Sequence, residues 1–378
     1  MTRKERLLAT IEGKAVDRPP VSFYELNGLD ENPDNRDPFN IFSHPSWLPL
    51  IQLAREKTDR IVMRGVGARY AYDPLAELTK RESFIGKNGA RHNVTEIRAG
   101  RRSLKCRTIR EPDIATTWTV EHLLKDEDDL KAWIALPGRE GLRLDYTGIV
   151  SAEEKLGDSG IVMIDTADTL CVVAGLFSME DFTVLAFTEQ KLFQEALEKA
   201  QRELLAVVEQ AAKEQPGHLW RICGPEYAAP PYLPPELYHR YVVQYDKELV
   251  AAIHKHGGYA RLHQHGRLRN TLDYIAETGC MGIDPIEPPP QGDVTLEYVR
   301  KNYGKQFVLF GNLEASDIET LQPDAFEQKA ITAMEEGMAG KGRGFVLMPS
   351  ACPYGRVLSS AALDNYHKMI EVAERYRY

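Results

Sequence analysis

A chain of 378 residues carrying a net charge of −9 at pH 7 disfavours nucleic acid and anionic membrane surfaces as partners. Its apolar fraction of 43% is ordinary for a globular protein with a sizeable core, and no stretch approaches the roughly 18 apolar residues of a membrane span. Five scattered cysteines (Cys106, Cys171, Cys223, Cys280 and Cys352) form no C-x-x-C pair, which argues against a disulfide framework. With no apolar leader at the N-terminus, the expected location is the cytoplasm.

Along the chain, Thr2-Arg3-Lys4-Glu5 reads as a capping box, and Leu7, Leu8 and Ile11 share one face of the helix that follows. Gly13 ends that helix, and Pro19-Pro20 forbids its continuation. A first strand is predicted over 21–25, then a long irregular loop over 27–45 rich in Asn, Asp, Pro and Gly. Residues 80–125 alternate in β-branched fashion around Gly86, Gly89 and Gly100, with 116–120 the clearest strand. This segment is expected to be a β-rich insertion or lid within a single domain spanning 1–378. Its basic residues Arg98, Arg101, Arg102, Lys105, Arg107 and Arg110 fit the solvated face of a hairpin, or a docking surface for an acidic partner. An acidic stretch at 126–130 starts the next helix.

Beyond residue 159, strand and helix alternate regularly. Strands are expected at 161–164, 218–222, 258–262, 281–283, 306–310 and 344–348. Helices are expected at 189–214, 234–254, 268–277, 295–302, 324–337 and 358–376. In the helix at 189–214 the expected core contacts are Leu192, Leu197, Leu204, Leu205 and Val208. Short connections predict a parallel sheet, and neither a dinucleotide fingerprint nor a Walker sequence is present. The expected fold is α/β: a (β/α)8 TIM barrel with an N-terminal helical and hairpin elaboration.

Chemistry in such a barrel sits where strands end. Those ends carry Glu25, Asp165, Glu226, His263, His265, Asp284, Glu287, Asn312 and Cys352. In His263-Gln264-His265-Gly266, residues i and i+2 point to one face, so two imidazoles can address one point. Cys352, from another strand end, would complete an N,N,S set with a fourth position open, which suits catalytic zinc. Taken alone, the same residues also fit a packed barrel histidine and a small buried thiol. Cys223 and Cys280 read as core residues.

Several segments resemble the uroporphyrinogen decarboxylase superfamily, and more closely its corrinoid-dependent methyltransferase branch. These are Lys4-Glu5-Arg6-Leu7-Leu8-Ala9, Glu12-Gly13-Lys14, Asp17-Arg18-Pro19-Pro20, Pro234 to Tyr238, His256-Gly257-Gly258 with the His263–Gly266 run, Gly279 to Asp284, Gly292-Asp293-Val294, Gly311-Asn312-Leu313 and the Cys352 loop. The resemblance covers nearly the whole chain. It implies a zinc site, a methyl group moved between a small molecule and a corrinoid (cobalamin), and a corrinoid-binding partner protein. That branch typically carries His-x-Cys where this chain has His263-Gln264-His265, with a second cysteine from the last strand.

An imidazole in place of a thiolate leaves the site one unit more positive and a stronger Lewis acid. This favours a neutral donor, such as the methyl ether of a methoxylated aromatic, and hence O-demethylation. The alternative is methyl transfer from methylcobalamin to a thiol of the coenzyme M type. The early Arg-Gln-Ala-Gly-Arg of true decarboxylases is replaced by Val21 to Gly28, which has no arginine and includes Glu25, so decarboxylation of a polycarboxylate is disfavoured. A non-catalytic barrel binding a tetrapyrrole-like ligand is the remaining reading.

Within the methyltransferase reading, Glu226 is expected as fourth ligand or general acid, with a backbone-bonded loop carboxylate as the competing assignment. Asp165 would orient a ligand histidine, or be a plain rim carboxylate. Tyr24, Glu25, Tyr227 and Tyr354 would line the substrate site, and Asn312 would contact substrate or cap the next helix.

Overall fold

The computed structural model describes residues 1–31, 35, 37–340 and 342–377, with the side chains of Glu25, Leu29, Asp30 and Glu31 outside the described set. Thr2 starts the first helix, Arg3–Ile11, through the expected capping box: its side chain accepts from Glu5 N, and Glu5 accepts from Thr2 N. The helix presses Leu7 and Ile11 against the floor of the barrel.

The strands, in chain order, are β1 (Arg60–Gly65), β2 (Gly67–Tyr72), β3 (Thr79–Ile85), β4 (Arg91–Ala99), β5 (Arg102–Arg110), β6 (Thr117–Glu121) and β7 (Glu140–Asp145). They continue with β8 (Gly160–Ala167), β9 (Leu219–Cys223), β10 (Tyr259–Gln264), β11 (Gly282–Pro285), β12 (Val308–Leu313) and β13 (Phe345–Pro349). One parallel sheet runs β1-β8-β9-β10-β11-β12-β13. The ring is completed by a single residue. Val21 bridges Leu347 of β13, and its carbonyl accepts from Asp59 N at the start of β1.

The fold is therefore a TIM-barrel-like α/β fold whose first stave is reduced to a bridge. The strand expected over 21–25 stops at Val21 because the chain turns at once into a 3-10 helix, Tyr24–Glu31, with Tyr24 at φ +51°. The first stave is pinned by charge. Asp59, wholly buried, accepts from Arg6 at 2.5 Å, Arg18 at 2.7 Å and Val21 N at 2.9 Å. β1 itself was not foreseen, because arginines flank its apolar Ile61-Val62-Met63 core and mask it as polar chain.

Alternation along these parallel strands splits the apolar residues in two. Ile61, Met163, Leu219, Met281, Phe310 and Met348 fill the barrel floor, while the larger cluster lies between sheet and helices. The helix Gln190–Glu214 packs through Leu197 and Val208, as expected, with Phe193, Ala196 and Ala211; Leu192, Leu204 and Leu205 are only half-buried. The helix expected over 234–254 is Pro235–Tyr238 and Gln244–Lys255 joined by a π turn at His239–Val243. The one expected from 268 begins only at Leu272.

Between β1 and β8 the chain leaves the barrel. β2 and β7 pair antiparallel, and β3-β4-β5-β6 form a four-stranded antiparallel sheet where a β-rich insertion was expected. This sheet is tied to the loop that carries Cys352. Ile114 bridges Gly355, Ala115 N donates to Tyr354 O, and Arg356 Nε donates to Asp113 at 2.6 Å. Part of its positive charge is answered locally, since Arg102 contacts Asp126, Asp128 and Asp129. Among the described residues no helix is long and apolar enough to cross a membrane.

Candidate active site

The two histidines stand at the C-terminal end of β10, with His263 its fifth residue and His265 just past it. Register pairs His263 with Asp284 on β11 and Cys223 on β9. Neighbouring parallel strands in register put these three side chains on the same, inner face. His263 Nδ1 lies 2.7 Å from Asp284 Oδ2, and His265 Nδ1 lies 2.7 Å from Glu287 Oε1. Glu287 is itself held by Gly266 N at 2.6 Å. The two rings are 4.7 Å apart and nearly perpendicular. A carboxylate on each Nδ1 fixes the Nδ1–H tautomer and leaves each Nε2 lone pair available.

Below the histidines lies a charged layer that the sequence did not reveal. Arg261, wholly buried, has Nε 2.8 Å from Asp284 Oδ1, and its guanidinium sits 4.8 Å over the Phe310 ring. Burial opposes the Asp284 charge, yet the Arg261 and His263 charges hold its carboxyl below the usual range. Burial likewise opposes protonation of His265, but the Glu287 hydrogen bond and the charges of Glu287, Glu226 and Asp284 hold it above the ordinary value. Arg221 donates to Asp165 at 2.6 Å and to the Tyr24 hydroxyl. Asp165 therefore serves an arginine, not a ligand histidine, which corrects the expected role: Asp165 on β8 shares register with Arg221 on β9 and stands two strands away from His263 on β10. Tyr24 stacks on His263, the rings 5.9 Å apart and within 16° of parallel.

The opposite wall comes from the turn after β9. Gly224 adopts φ +128°, and a Cβ there would sit 2.2 Å from Cys171 Cβ and 2.7 Å from Asp168 Oδ1, so only glycine lets this turn close over Asp168. The turn carries Glu226, half-buried, whose Oε2 has no partner among the described residues. It also carries Tyr227, packed edge-on against Phe182, whose hydroxyl burial and the neighbouring Cys171 and Glu226 push up to about 12. Cys223 is not the core residue expected: it lies half-buried on the inner face beside His263, while Cys280 is buried as expected.

Behind this wall Asp246 is wholly buried with neither carboxyl oxygen partnered among the described residues, and burial raises it to about 8. An unfolded aspartate titrates near 3.9, so the native state binds the extra proton and stability falls as pH rises from about 4 towards 8. Asp246→Asn is expected to remove that loss. Urea unfolding at pH 5, 6.5 and 8 should show the variant gaining on the parent by up to about 1.4 kcal/mol per pH unit. A difference independent of pH would refute the assignment.

The remaining expected residues are more dispersed. Asn312 donates to Ile286 O at 3.1 Å and caps nothing; the position before the next helix is Glu314. Tyr354 exposes 57% of its surface, and its carbonyl accepts from Ala115 N. The Glu25 side chain lies outside the described residues. Cys352 is half-buried, with Sγ 3.3 Å from Pro353 O. Among the described residues no three His, Cys, Asp or Glu side chains are gathered closely enough to hold a metal ion. In kind, however, the donors fit zinc: two imidazoles, each with a carboxylate held on its Nδ1, and a thiol from the loop after β13.

Sequence reading placed Asp284 and Glu287 at a strand end but missed them as the groups that orient the histidines, although Asp284 stands in β11, the neighbouring strand, and Glu287 just after it. It also missed Glu314, two residues past Asn312 and on the same face. Burial and the Glu287 charge push the Glu314 carboxyl up to about 7.

Residues 169–376 match the sequence model of uroporphyrinogen decarboxylase (URO-D). The chain belongs to the uroporphyrinogen decarboxylase family. No curated protein sequence matches it. Among solved structures, a methyltransferase from Methanosarcina mazei aligns over 100% of both chains with a TM-score of 0.62 at 17% identity, so this URO-D family member shares that protein's fold. A putative vitamin-B12 independent methionine synthase from Listeria monocytogenes aligns over 60% of this chain and 66% of its own, with a TM-score of 0.37 at 12% identity.

Proposed function

We propose that this chain is a methyltransferase that moves a methyl group from a small donor, a methyl ether such as a methoxylated aromatic, to the Co(I) corrinoid of a partner protein. Zinc would be held by His263, His265 and Cys352. The observation that carries this reading is the pair of imidazoles at one strand end, each with Nδ1 tied to its own carboxylate and Nε2 left for a ligand. The fold shared with a methyltransferase supports it.

Bound zinc would supply Lewis-acid stabilisation to the oxygen that leaves with the C–O electron pair. The chain's own groups do the rest. Asp284 and Glu287 hold the two rings in orientation, and Tyr24 packs the face of His263. Glu226, with Oε2 unpartnered beside the site, would hold the proton that the leaving oxygen takes up. The two interior arginines are committed to Asp165 and Asp284, which leaves them poorly placed to grip a polycarboxylate porphyrinogen.

Elemental analysis of protein purified without added metal tests this. About one zinc per chain is expected in the parent, as a single site requires, and much less in His265→Ala and Cys352→Ser. A parent that neither carries nor takes up zinc would sink the reading. If zinc is present, a donor screen with a reduced corrinoid protein follows, and thiol-dependent spectra of the cobalt-substituted protein separate an ether donor from a thiol acceptor.

A further inference from the structure

Away from the histidine pair, a cavity of about 350 Å³ opens between β2 and the helix Gln190–Glu214. Tyr70, Leu75, Trp133, Val172, Leu204 and Val207 supply its apolar wall. It is separate from the candidate active site: Val172 lines it from the short helix Thr169–Ala174, whereas the neighbouring Cys171 meets the Gly224 turn. We propose that this cavity binds a small aliphatic carboxylate, its tail against the apolar wall and its carboxylate on Lys199.

Three observations carry the proposal. The six apolar wall residues are each only half-buried, so they leave a concave apolar surface open to solvent, where a small ligand gains most from burial. Leu204, whose place on its helix predicts a core contact, is one of them. Lys199, on the same wall, carries an unanswered charge. Its Nζ donates to Ile134 O at 2.9 Å and Leu136 O at 2.6 Å, which uses two of the three ammonium donors. Among the described residues no carboxylate forms an ion pair with it, and Glu203 on the wall is committed to Arg139. Burial holds Lys199 below the ordinary lysine value, as it does any cation short of a counter-ion. Finally, the cations are already positioned. Lys199 Nζ sits 5.4 Å from the centre of the Trp133 ring, and the Arg139 guanidinium lies 4.2 Å over Tyr70. With one ammonium N–H left and a single net positive charge on the wall, Lys199 and Arg139 against Glu203, the match is a monoanion. A phosphate dianion would bring more charge and more acceptors than this wall meets.

The proposal is independent of the methyl-transfer reading, because binding is measured without zinc, corrinoid or turnover. Isothermal titration at pH 7 would use hexanoate, with hexan-1-ol, acetate and hexylammonium as controls for charge, tail and sign of charge. Hexanoate is expected to bind the parent saturably at one site, and each control at least roughly tenfold more weakly. Lys199→Gln keeps N–H donors for the two carbonyls but removes the charge, so it should weaken hexanoate binding by roughly tenfold or more. Ala68→Trp, at an exposed position on the wall, should abolish binding by filling the cavity. Circular dichroism checks that both variants fold, and His265→Ala should bind as the parent does. Absence of saturable hexanoate binding to the parent, equal binding of hexan-1-ol, or equal hexanoate binding by a folded Lys199→Gln would overturn the proposal.

Discussion

Asp284→Asn is expected to destabilise the protein by about 3–5 kcal/mol and to weaken binding at the proposed zinc site by about 10- to 100-fold. Asp284 is wholly buried and serves two partners at once, Arg261 at 2.8 Å and His263 at 2.7 Å. Removing its charge leaves the Arg261 guanidinium, also wholly buried, without a counter-ion. It also releases the His263 tautomer that presents Nε2. Glu287→Gln separates the two effects. Glu287 orients His265 in the same way but lies nearer the mouth and neutralises no buried arginine, so its loss should lower zinc affinity with little change in stability. Urea unfolding of the zinc-free proteins and competitive zinc titration measure both quantities. If Asp284→Asn unfolds at the parent's urea midpoint, the ion pair does not support the barrel as argued.

The second large effect lies at the other end of the barrel. Asp59→Asn is expected to cost about 3–5 kcal/mol, because Asp59 alone joins Arg6, Arg18 and the Val21 amide where the first stave is a single bridge. Arg6 would keep Asp17, which accepts from it at 2.7 and 2.8 Å, whereas Arg18 would lose its carboxylate. Asp17→Asn is the contrasting variant. Its side chain is 37% exposed, so the loss should stay near 1 kcal/mol or below. Equal unfolding midpoints for the two variants would contradict this account of barrel closure. It also gives a physical reason for the N-terminal segment of the family resemblance: Arg6, Asp17 and Arg18 build this cluster, and Pro19-Pro20 delivers Val21 to β13.

Local pattern made much of this protein legible. Alternating apolar runs and amphipathic helices after residue 159 specify a barrel because strand and helix periods are properties of short segments, readable without knowing their neighbours. The same logic placed His263, His265, Glu226 and Asn312 at strand ends. β1 and the short first stave escaped it, since one is masked by flanking arginines and the other is held by Asp59 rather than by apolar pattern.

What only the tertiary structure decided is which group meets which. Register between neighbouring strands sets His263 beside Asp284 and Asp165 beside Arg221, and no local pattern encodes register. The positive-φ turn at Tyr24 brings its ring onto His263 from 239 residues away. The two histidines and the carboxylates at strand ends were visible in the sequence by itself. Their partners, which set charge, tautomer and orientation, depend on contacts between segments far apart in the chain.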